Sequence, residues 1–356
     1  MAEIRVVVAM SGGVDSSVAA ALLKKKGYQV IGVTMCFNIT EEKAKKPGCC
    51  GASAIDDAVR VAHKLGIRHY VLNMQEPLHK YVISNFCKEY LSGRTPNPCI
   101  LCNQHLKFTA LFKKVHSLGA QFLATGHYGR IEEKAGVYWL KKAKDLKKDQ
   151  SYFLCRLNQP QLKQIIFPLG NYIKEEVRRI AKRFCLPVAE KTASQEICFL
   201  PRNDYREFLR QRCGKDIVPG EVLDQRGNIL GQHKGIAYYT IGQREGLRIA
   251  KGYPVYITKI NPRDNTITVG TKDDAFSRRF VVNNLSFINK PIKNKVVLKV
   301  KIRYNHKESA AKLTPTGNKI SVEFKKPQFA ITPGQAAVFY DQDKVVGSGT
   351  IEKVLE

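Results

Sequence analysis

Two sets of residues in this chain have types and spacings suited to chemistry. The first is Ser11-Gly12-Gly13-Val14-Asp15-Ser16. A glycine pair lets a backbone turn tightly and come close to a ligand. The string follows the apolar run Ile4-Arg5-Val6-Val7-Val8-Ala9, which predicts a buried strand. It precedes Ser17 to Lys24, rich in strong helix formers. Unpaired N–H groups at the helix start would then point into the loop and favour an anion, a phosphate above all. Ser11 and Ser16 can add hydroxyl donors. Asp15 is out of place at an anion unless it caps the helix or holds a metal bound to the phosphates. No GxxxxGK[ST] string is present, so this is not a Walker-type loop. The bland alternative is an ordinary strand–turn–helix.

The second set is made of thiols. Cys99 and Cys102 form a CxxC after the turn Pro96-Asn97-Pro98, and Cys198 lies in Ser194-Gln195-Glu196-Ile197-Cys198-Phe199. A CxxC is open to metal, redox and structural readings. Its place in a turn-rich loop rather than an apolar run favours chemistry. Cys49-Cys50 is a second candidate thiol site, although adjacent cysteines do not readily share a strain-free bridge. Cys36, Cys87, Cys155, Cys185 and Cys213 stand singly beside apolar residues and read as core fillers.

The elements that must hold these residues alternate in the first half. Tyr28–Met35, His69–Leu72 and Gln121–Thr125 read as strands. Ala54–Leu65 reads as a helix, and Leu78, Val82, Phe86 and Tyr90 mark a further helix face. Tyr172–Phe184 reads as another helix, and Lys191–Phe199 as an exposed loop or short strand. This order predicts an α/β doubly wound parallel-sheet nucleotide-binding domain over 1–205. Ligands in such sheets sit at the carboxyl ends of strands, where the Ser11 loop, Met35 and Gly126-His127 fall. Past Pro219 the texture becomes short glycine-punctuated strands: Val222-Leu223, Ile229-Leu230, Ala237–Thr240, Tyr256–Thr258 and Thr266–Val269. These predict a small central module over 206–275. Val296–Val300, Ile320–Phe324 and Ala336–Tyr340 then predict a C-terminal β-barrel-like domain over 276–356.

A length of 356 residues suits two or three domains, and a hydrophobic content of 44% is enough for a core. No apolar run approaches the ~20 residues of a membrane span. The early strand leaves no room for a signal peptide, so a cytoplasmic protein without membrane attachment is expected. Ten cysteines are then expected to be reduced. With 59 basic and 31 acidic residues the net charge is +28, which points to a polyanion such as nucleic acid.

The Ser11–Ser16 string resembles the SGGxDS pyrophosphate loop of the N-type ATP pyrophosphatases, which cleave ATP between the α- and β-phosphates and adenylate a substrate oxygen. A wider set is more specific. It comprises Cys49-Cys50, Arg94-Thr95-Pro96-Asn97-Pro98, Leu101-Cys102-Asn103, Thr125-Gly126-His127-Tyr128, Lys148 to Phe153, Ser194 to Phe199 and Tyr239 to Arg244. In this order, over essentially the whole chain, it resembles the bacterial tRNA-specific 2-thiouridylase family.

The resemblance implies ATP, with Mg²⁺, on Ala9, Met10, Ser11, Gly12, Gly13, Val14, Asp15, Ser16, Met35 and Gly126. It implies adenylation of the C2 oxygen of the uridine at the first anticodon position, followed by sulfur substitution with release of AMP and pyrophosphate. Asn97, Pro98 and Cys99 would frame the target base. His127, Lys148, Asp149, Gln150, Arg303, Tyr304 and Gln335 would contact tRNA, with acceptors for Lys, Glu and Gln expected. Cys198 would carry sulfur as a persulfide, delivered by a cysteine desulfurase directly or through a relay protein. Cys102 would be the second catalytic thiol, releasing the sulfur by closing a transient disulfide with Cys198 or assisting its attack. Arg94, Lys107 and Lys191 are candidates for lowering a thiol pKa.

One departure stands out. Most members carry Asp where this chain has Cys99. Cys99, Cys102 and Cys198 together could hold a [4Fe–4S] cluster with one open iron, an alternative to the persulfide route. Zinc fits less well, since a structural zinc site takes a fourth protein ligand. The competing functional readings are another pyrophosphate-loop ligase and a non-catalytic RNA-binding protein.

Overall fold

The computed structural model describes residues 4–37, 52–192, 197–200, 204–247, 249 and 251–355. Cys49-Cys50 and Ser194-Gln195-Glu196 lie outside them. The chain divides into two compact units: Met1–Val82, Cys99–Asn203 and Asp343–Val345 form one, and Ile83–Pro98, Asp204–Gln342 and Val346–Glu356 the other.

The first unit opens with β1 (Arg5–Ala9), α1 (Val14–Lys25), β2 (Gln29–Cys36), α2 (Ala52–Leu65) and β3 (Arg68–Asn73). A run of helix follows: α3 (Gln75–Leu78) and a π-wound turn His79–Ile83, from which the chain passes into α4 (Ser84–Leu91) of the second unit before returning. Next come α5 (Pro98–Leu101), a second π-wound segment Cys102–Ala110 and α6 (Leu111–Ser117). β4 (Phe122–Thr125), the hairpin β5 (Arg130–Lys134) and β6 (Val137–Lys141), α7 (Gln159–Lys163), β7 (Ile165–Ile166) and α8 (Lys174–Arg183) complete it.

The sheet runs β3-β2-β1-β4-β7, every pairing parallel. β1 lies in the middle, with Val6, Val7 and Val8 all fully buried. Burial on both faces is why this strand reads as a continuous apolar run rather than an alternation. α1 packs into the same core with Val18, Ala19, Ala20, Ala21 and Leu23, whose small side chains let helix and sheet approach closely. The sequence-derived doubly wound sheet is what the chain forms.

The apolar stripe Leu78, Val82, Phe86, Tyr90 is buried throughout, but it crosses the boundary between the units at Val82–Ile83. A strict spacing of four drifts around an α-helix of 3.6 residues per turn. The wider π turn at His79–Ile83 offsets part of that drift.

In the second unit, α9 (Tyr205–Cys213) packs on α4 through Phe86–Phe208 and the stacked Tyr90–Tyr205 rings. β8 (Gly220–Leu223), β9 (Ile229–His233), β10 (Tyr256–Asn261) and β11 (Thr266–Gly270) form a small sheet in the order β10-β11-β8-β9. The predicted strand Ala237–Thr240 is instead a 3₁₀ turn, Ile236–Tyr238. The N–H groups of Tyr238 and Tyr239 bond back to the Gly235 and Ile236 carbonyls rather than across to a neighbour. β12 (Phe276–Phe287), β13 (Val296–Lys301), β14 (Ser309–Thr316), β15 (Lys319–Phe329), β16 (Ala336–Asp341) and β17 (Lys344–Leu355) follow in the order β12-β15-β14-β13-β16-β17. A β12–β17 pairing closes them into a barrel around Phe280, Val300, Phe324 and Phe339. Among the described residues no helix is long and apolar enough to cross a membrane.

Candidate active site

The Ser11–Ser16 loop leaves the carboxyl end of β1, the central strand, where Met10 N–H donates to the Val33 carbonyl at 2.8 Å. Thr34 Oγ1 donates to the Met10 carbonyl at 2.8 Å and receives His69 Nε2 at 2.9 Å. Gly12 has φ +68°, and a Cβ there would stand 2.1 Å from the Ala54 carbonyl oxygen. Only glycine satisfies both constraints. A Cβ on Gly126 would stand 2.6 Å from Ser16 N, so the turn after β4 presses directly on the start of α1. Gly13 is the N-cap and supplies no side chain, which leaves the first N–H groups of α1 without a capping partner from it. Ser16 Oγ accepts from Ser11 N–H at 3.1 Å and lies 3.3 Å from Ser11 Oγ, curling the loop into a cradle. Such a cradle suits the phosphates of ATP.

Asp15 does not cap the helix. Its Oδ1 accepts from Lys174 Nζ at 2.6 Å and from Tyr128 OH at 2.8 Å. Both partners come from more than a hundred residues away, and the motif gives no sign of either. Burial, the Asp15 charge and its hydrogen bond push the Tyr128 phenol far up, so it stays a donor. Lys191, expected near a thiol, donates to the Gly12 carbonyl at 3.2 Å and to Asp57 Oδ2 at 2.6 Å.

His127 follows Gly126. Its Nδ1 is 2.7 Å from Thr125 Oγ1 and its Nε2 is 3.4 Å from Lys107 Nζ. Lys107 can only donate, so Nε2 accepts and the proton sits on Nδ1, facing Thr125. Burial first, then the Lys107 charge, hold the ring well below its ordinary pKa, and it stays neutral.

Cys102 begins the π-wound segment and is buried, and Cys99, half-exposed, stands on the short α5 before it. Burial pushes the Cys102 thiol up and Lys107 offsets this in part. π-helical turns are rare and concentrate at functional sites. Asn103, next to Cys102, donates to the Phe153 carbonyl at 2.9 Å. Cys198 is half-buried. Among the described residues no three His, Cys, Asp or Glu side chains converge as a metal site. Arg94, the third expected thiol activator, is held in the other unit by Glu89 Oε2 at 2.8 Å and by the Ile351 and Glu352 carbonyls.

The residues expected to meet tRNA fall into two kinds. Lys148 is half-exposed. Asp149 is buried, with its carboxylate taking Ala143 N–H at 2.9 Å, Ser151 N–H at 3.2 Å and Ser151 Oγ at 2.7 Å. Gln150 Oε1 takes Tyr128 N–H at 2.9 Å. These two shape the loop that presents Lys148. In the second unit Arg303 donates to the Phe329 and Ala330 carbonyls at 3.0 Å, and Lys301 sits over the Tyr304 ring. Gln335 Nε2 donates to the Thr95 carbonyl at 2.9 Å and to that of Pro96 at 3.3 Å, steadying the turn that precedes Asn97 and Pro98. Of the expected core fillers, Cys155 is fully buried and Cys36, Cys87 and Cys213 half-buried. Cys185 is exposed at φ +48°, just past the end of α8.

Three family models match in chain order: a tRNA methyl transferase HUP domain at 4–202, a tRNA methyl transferase PRC-barrel domain at 206–271 and an aminomethyltransferase β-barrel domain at 277–351. The chain is 50% identical to tRNA-specific 2-thiouridylase MnmA 1 of Caldanaerobacter subterraneus subsp. tengcongensis, over 98% of both. Identity is 49% to the MnmA of Carboxydothermus hydrogenoformans, over 99% of this chain and 98% of that one. It is 46% to that of Clostridium perfringens, over 100% of both. The models are described by methyl transfer, but the full-length relatives are thiouridylases, and identity this high across all three matched segments decides between them. This chain belongs to the tRNA-specific 2-thiouridylase family.

Proposed function

We propose that the protein uses ATP to adenylate the C2 oxygen of the uridine at the first anticodon position of tRNA and replaces that oxygen with sulfur. The products are 2-thiouridine, AMP and pyrophosphate. One observation carries this reading: the anion cradle and a thiol are linked through few residues. Gly126 presses on Ser16, its neighbour His127 lies 3.4 Å from Lys107 Nζ, and the Lys107 charge acts on Cys102.

An oxide is a poor leaving group, and attaching AMP makes substitution at C2 feasible. Gly12, Gly13 and Ser16 cradle the phosphates, and Met35 and Gly126 border the nucleotide. Mg²⁺ would come with ATP and offset the charge on its phosphates. Lys174 and Tyr128 both hold Asp15 through Oδ1, which leaves Oδ2 as the oxygen it could offer the ion.

Cys198 carries the incoming sulfur as a persulfide. Its terminal sulfur attacks C2 and AMP leaves. Cys102 then gives up its thiol proton to solvent as it attacks the Cys198 sulfur, and the S–S bond to the base-bound sulfur breaks. The electron pair goes to the new thiocarbonyl, and a Cys102–Cys198 disulfide remains, which two electrons from an external thiol reset. The alternative carrier is a [4Fe–4S] cluster, which Cys99, Cys102 and Cys198 would hold and which would supply sulfide without redox change at cysteine.

Asn97, Pro98 and Cys99 frame the base. Lys148, Arg303 and Tyr304 meet tRNA, while Asp149, Gln150 and Gln335 hold the backbone that presents the contacts. The net charge of +28 favours binding a polyanion. Segment 1–205 performs the chemistry, and 206–275 and 276–356 bind tRNA. The substrates are tRNAs for Lys, Glu and Gln, the sulfur comes from a cysteine desulfurase or its relay, and the setting is the cytoplasm.

The test is a single-turnover assay with unmodified tRNA, ATP and a persulfide donor. AMP and 2-thiouridine should form in equal amounts. Thiolation without ATP cleavage would overturn the reading.

A further inference from the structure

Lys191 lies seven residues before Cys198, yet its ammonium serves the phosphate loop. Nζ donates to the Gly12 carbonyl at 3.2 Å and to Asp57 Oδ2 at 2.6 Å. A cation resting on a backbone carbonyl inside an anion cradle is poorly explained by folding alone. Carbonyls elsewhere in the loop are satisfied by hydroxyls: Ser16 and Ser17 both donate to that of Gly13. Asp57, on α2, has a side chain only 13% exposed and also pairs with Arg60. It therefore keeps a counter-ion when Lys191 leaves. The Lys191 side chain is 36% exposed, which gives its flexible stem room to swing.

Lys174, the other lysine at the loop, differs on each point. Its side chain is 11% exposed and it is bonded to Asp15 under the Tyr128 ring, so it is a brace.

We propose that Lys191 is a catalytic residue of adenylation: it exchanges Asp57 for the β-phosphate of bound ATP and stabilises the departing pyrophosphate. This rests on the ATP-dependent reading above. The uridine O2 attacks Pα, and an O2–Pα bond forms. The bond from Pα to the bridging oxygen breaks, its electron pair leaving on pyrophosphate, and the N3 proton goes to solvent. Lys191 transfers no proton. Its N–H groups donate to the phosphate oxygens on which charge accumulates, where a preorganised cation acts most strongly.

A purely structural Lys191 would tether its segment to α2 and the loop. The two roles separate in the full-length protein with unmodified tRNA and no sulfur donor, reading single-turnover pyrophosphate release, ATP affinity and melting temperature. Lys191→Gln keeps a donor for Gly12 and Asp57 but removes the charge. It should slow pyrophosphate release about 100-fold, with ATP affinity changed far less. Lys191→Arg should recover part of the rate. The decisive readout compares ATP with its β,γ-methylene and β,γ-difluoromethylene analogues. Dependence of the rate on leaving-group acidity should steepen in Lys191→Gln, because an unassisted leaving group carries more charge. An unchanged dependence, or a rate loss matched by lost melting temperature and ATP affinity, would overturn the proposal. If Lys191→Gln does not fold, Lys191→Arg carries the same comparison against wild type. Wild-type protein that releases no pyrophosphate would overturn the ATP reading, and this inference with it.

Discussion

The phosphate loop and the thiol helix belong to the same unit and are built by opposite means. The loop works through backbone: Gly12 at φ +68°, Gly13 as a bare N-cap and Gly126 pressed on Ser16. Its side chains brace the shape, as Asp15 does with Lys174 and Tyr128. The thiol helix works through side chains. There a buried Cys102 sits on π-wound backbone with its protonation set by burial and by Lys107. A site made of backbone is broken by adding atoms, and a site made of side chains by removing them.

The largest effect should come from removal. Cys102→Ala should lower thiolation by at least about 100-fold, since a nucleophilic thiol has no substitute. ATP and tRNA affinity should stay near wild type. Retained thiolation would remove Cys102 from the chemistry and leave the π-wound segment without a catalytic purpose.

Addition should hurt the loop next. Gly12→Ala forces a Cβ to within 2.1 Å of the Ala54 carbonyl oxygen at a positive φ. Backbone strain of this kind costs about 1–3 kcal/mol. In a chain this long it should lower the melting temperature by several degrees and abolish pyrophosphate release. An alanine variant with normal melting and normal release would show that the cradle tolerates a side chain.

The same contrast explains what was legible in the sequence. The loop could be read because glycine is demanded at fixed positions between a strand and a helix. The parallel sheet could be read because β1 is apolar on both faces. The partners Lys174, Tyr128 and Lys191 could not, because sheet topology, not local spacing, brings them to residues 12–15. Cys102 was visible as part of CxxC, but its π winding has no compositional signature. The unit boundary at Val82–Ile83 was hidden by a stripe that continues from Leu78 to Tyr90. Asp149 and Gln335 were expected at tRNA through the family resemblance alone, and their local sequence could not show the hydrogen bonds that each makes inside the fold.

His127 lies where the two constructions meet, and its protonation tests the join. Its folded pKa is well below the ordinary 6.5, while the unfolded chain regains about that value. Between these limits the unfolded state binds the proton and the folded state refuses it. Stability is therefore lost as pH falls through 6.5. His127→Gln should flatten the decline in melting temperature between pH 7.5 and 5. The other buried histidines contribute equally to both proteins. An identical slope would mean that the Lys107–His127–Thr125 line does not hold the ring neutral.

The smallest effect probes a brace rather than the cradle. Tyr128→Phe removes the hydroxyl that donates to Asp15 Oδ1 at 2.8 Å and keeps the ring beside Lys174. Lys174 still neutralises Asp15, so the loss is one hydrogen bond to a charged acceptor that stays paired. About 1 kcal/mol is expected, or roughly fivefold weaker ATP binding, with the pH dependence unchanged. Tyr128→Leu should cost more, because the ring that covers Lys174 goes as well. If Tyr128→Phe instead matched Gly12→Ala in abolishing pyrophosphate release, the loop would depend on its side-chain braces as much as on its glycines, and the contrast between the two regions would fail at the phosphate side.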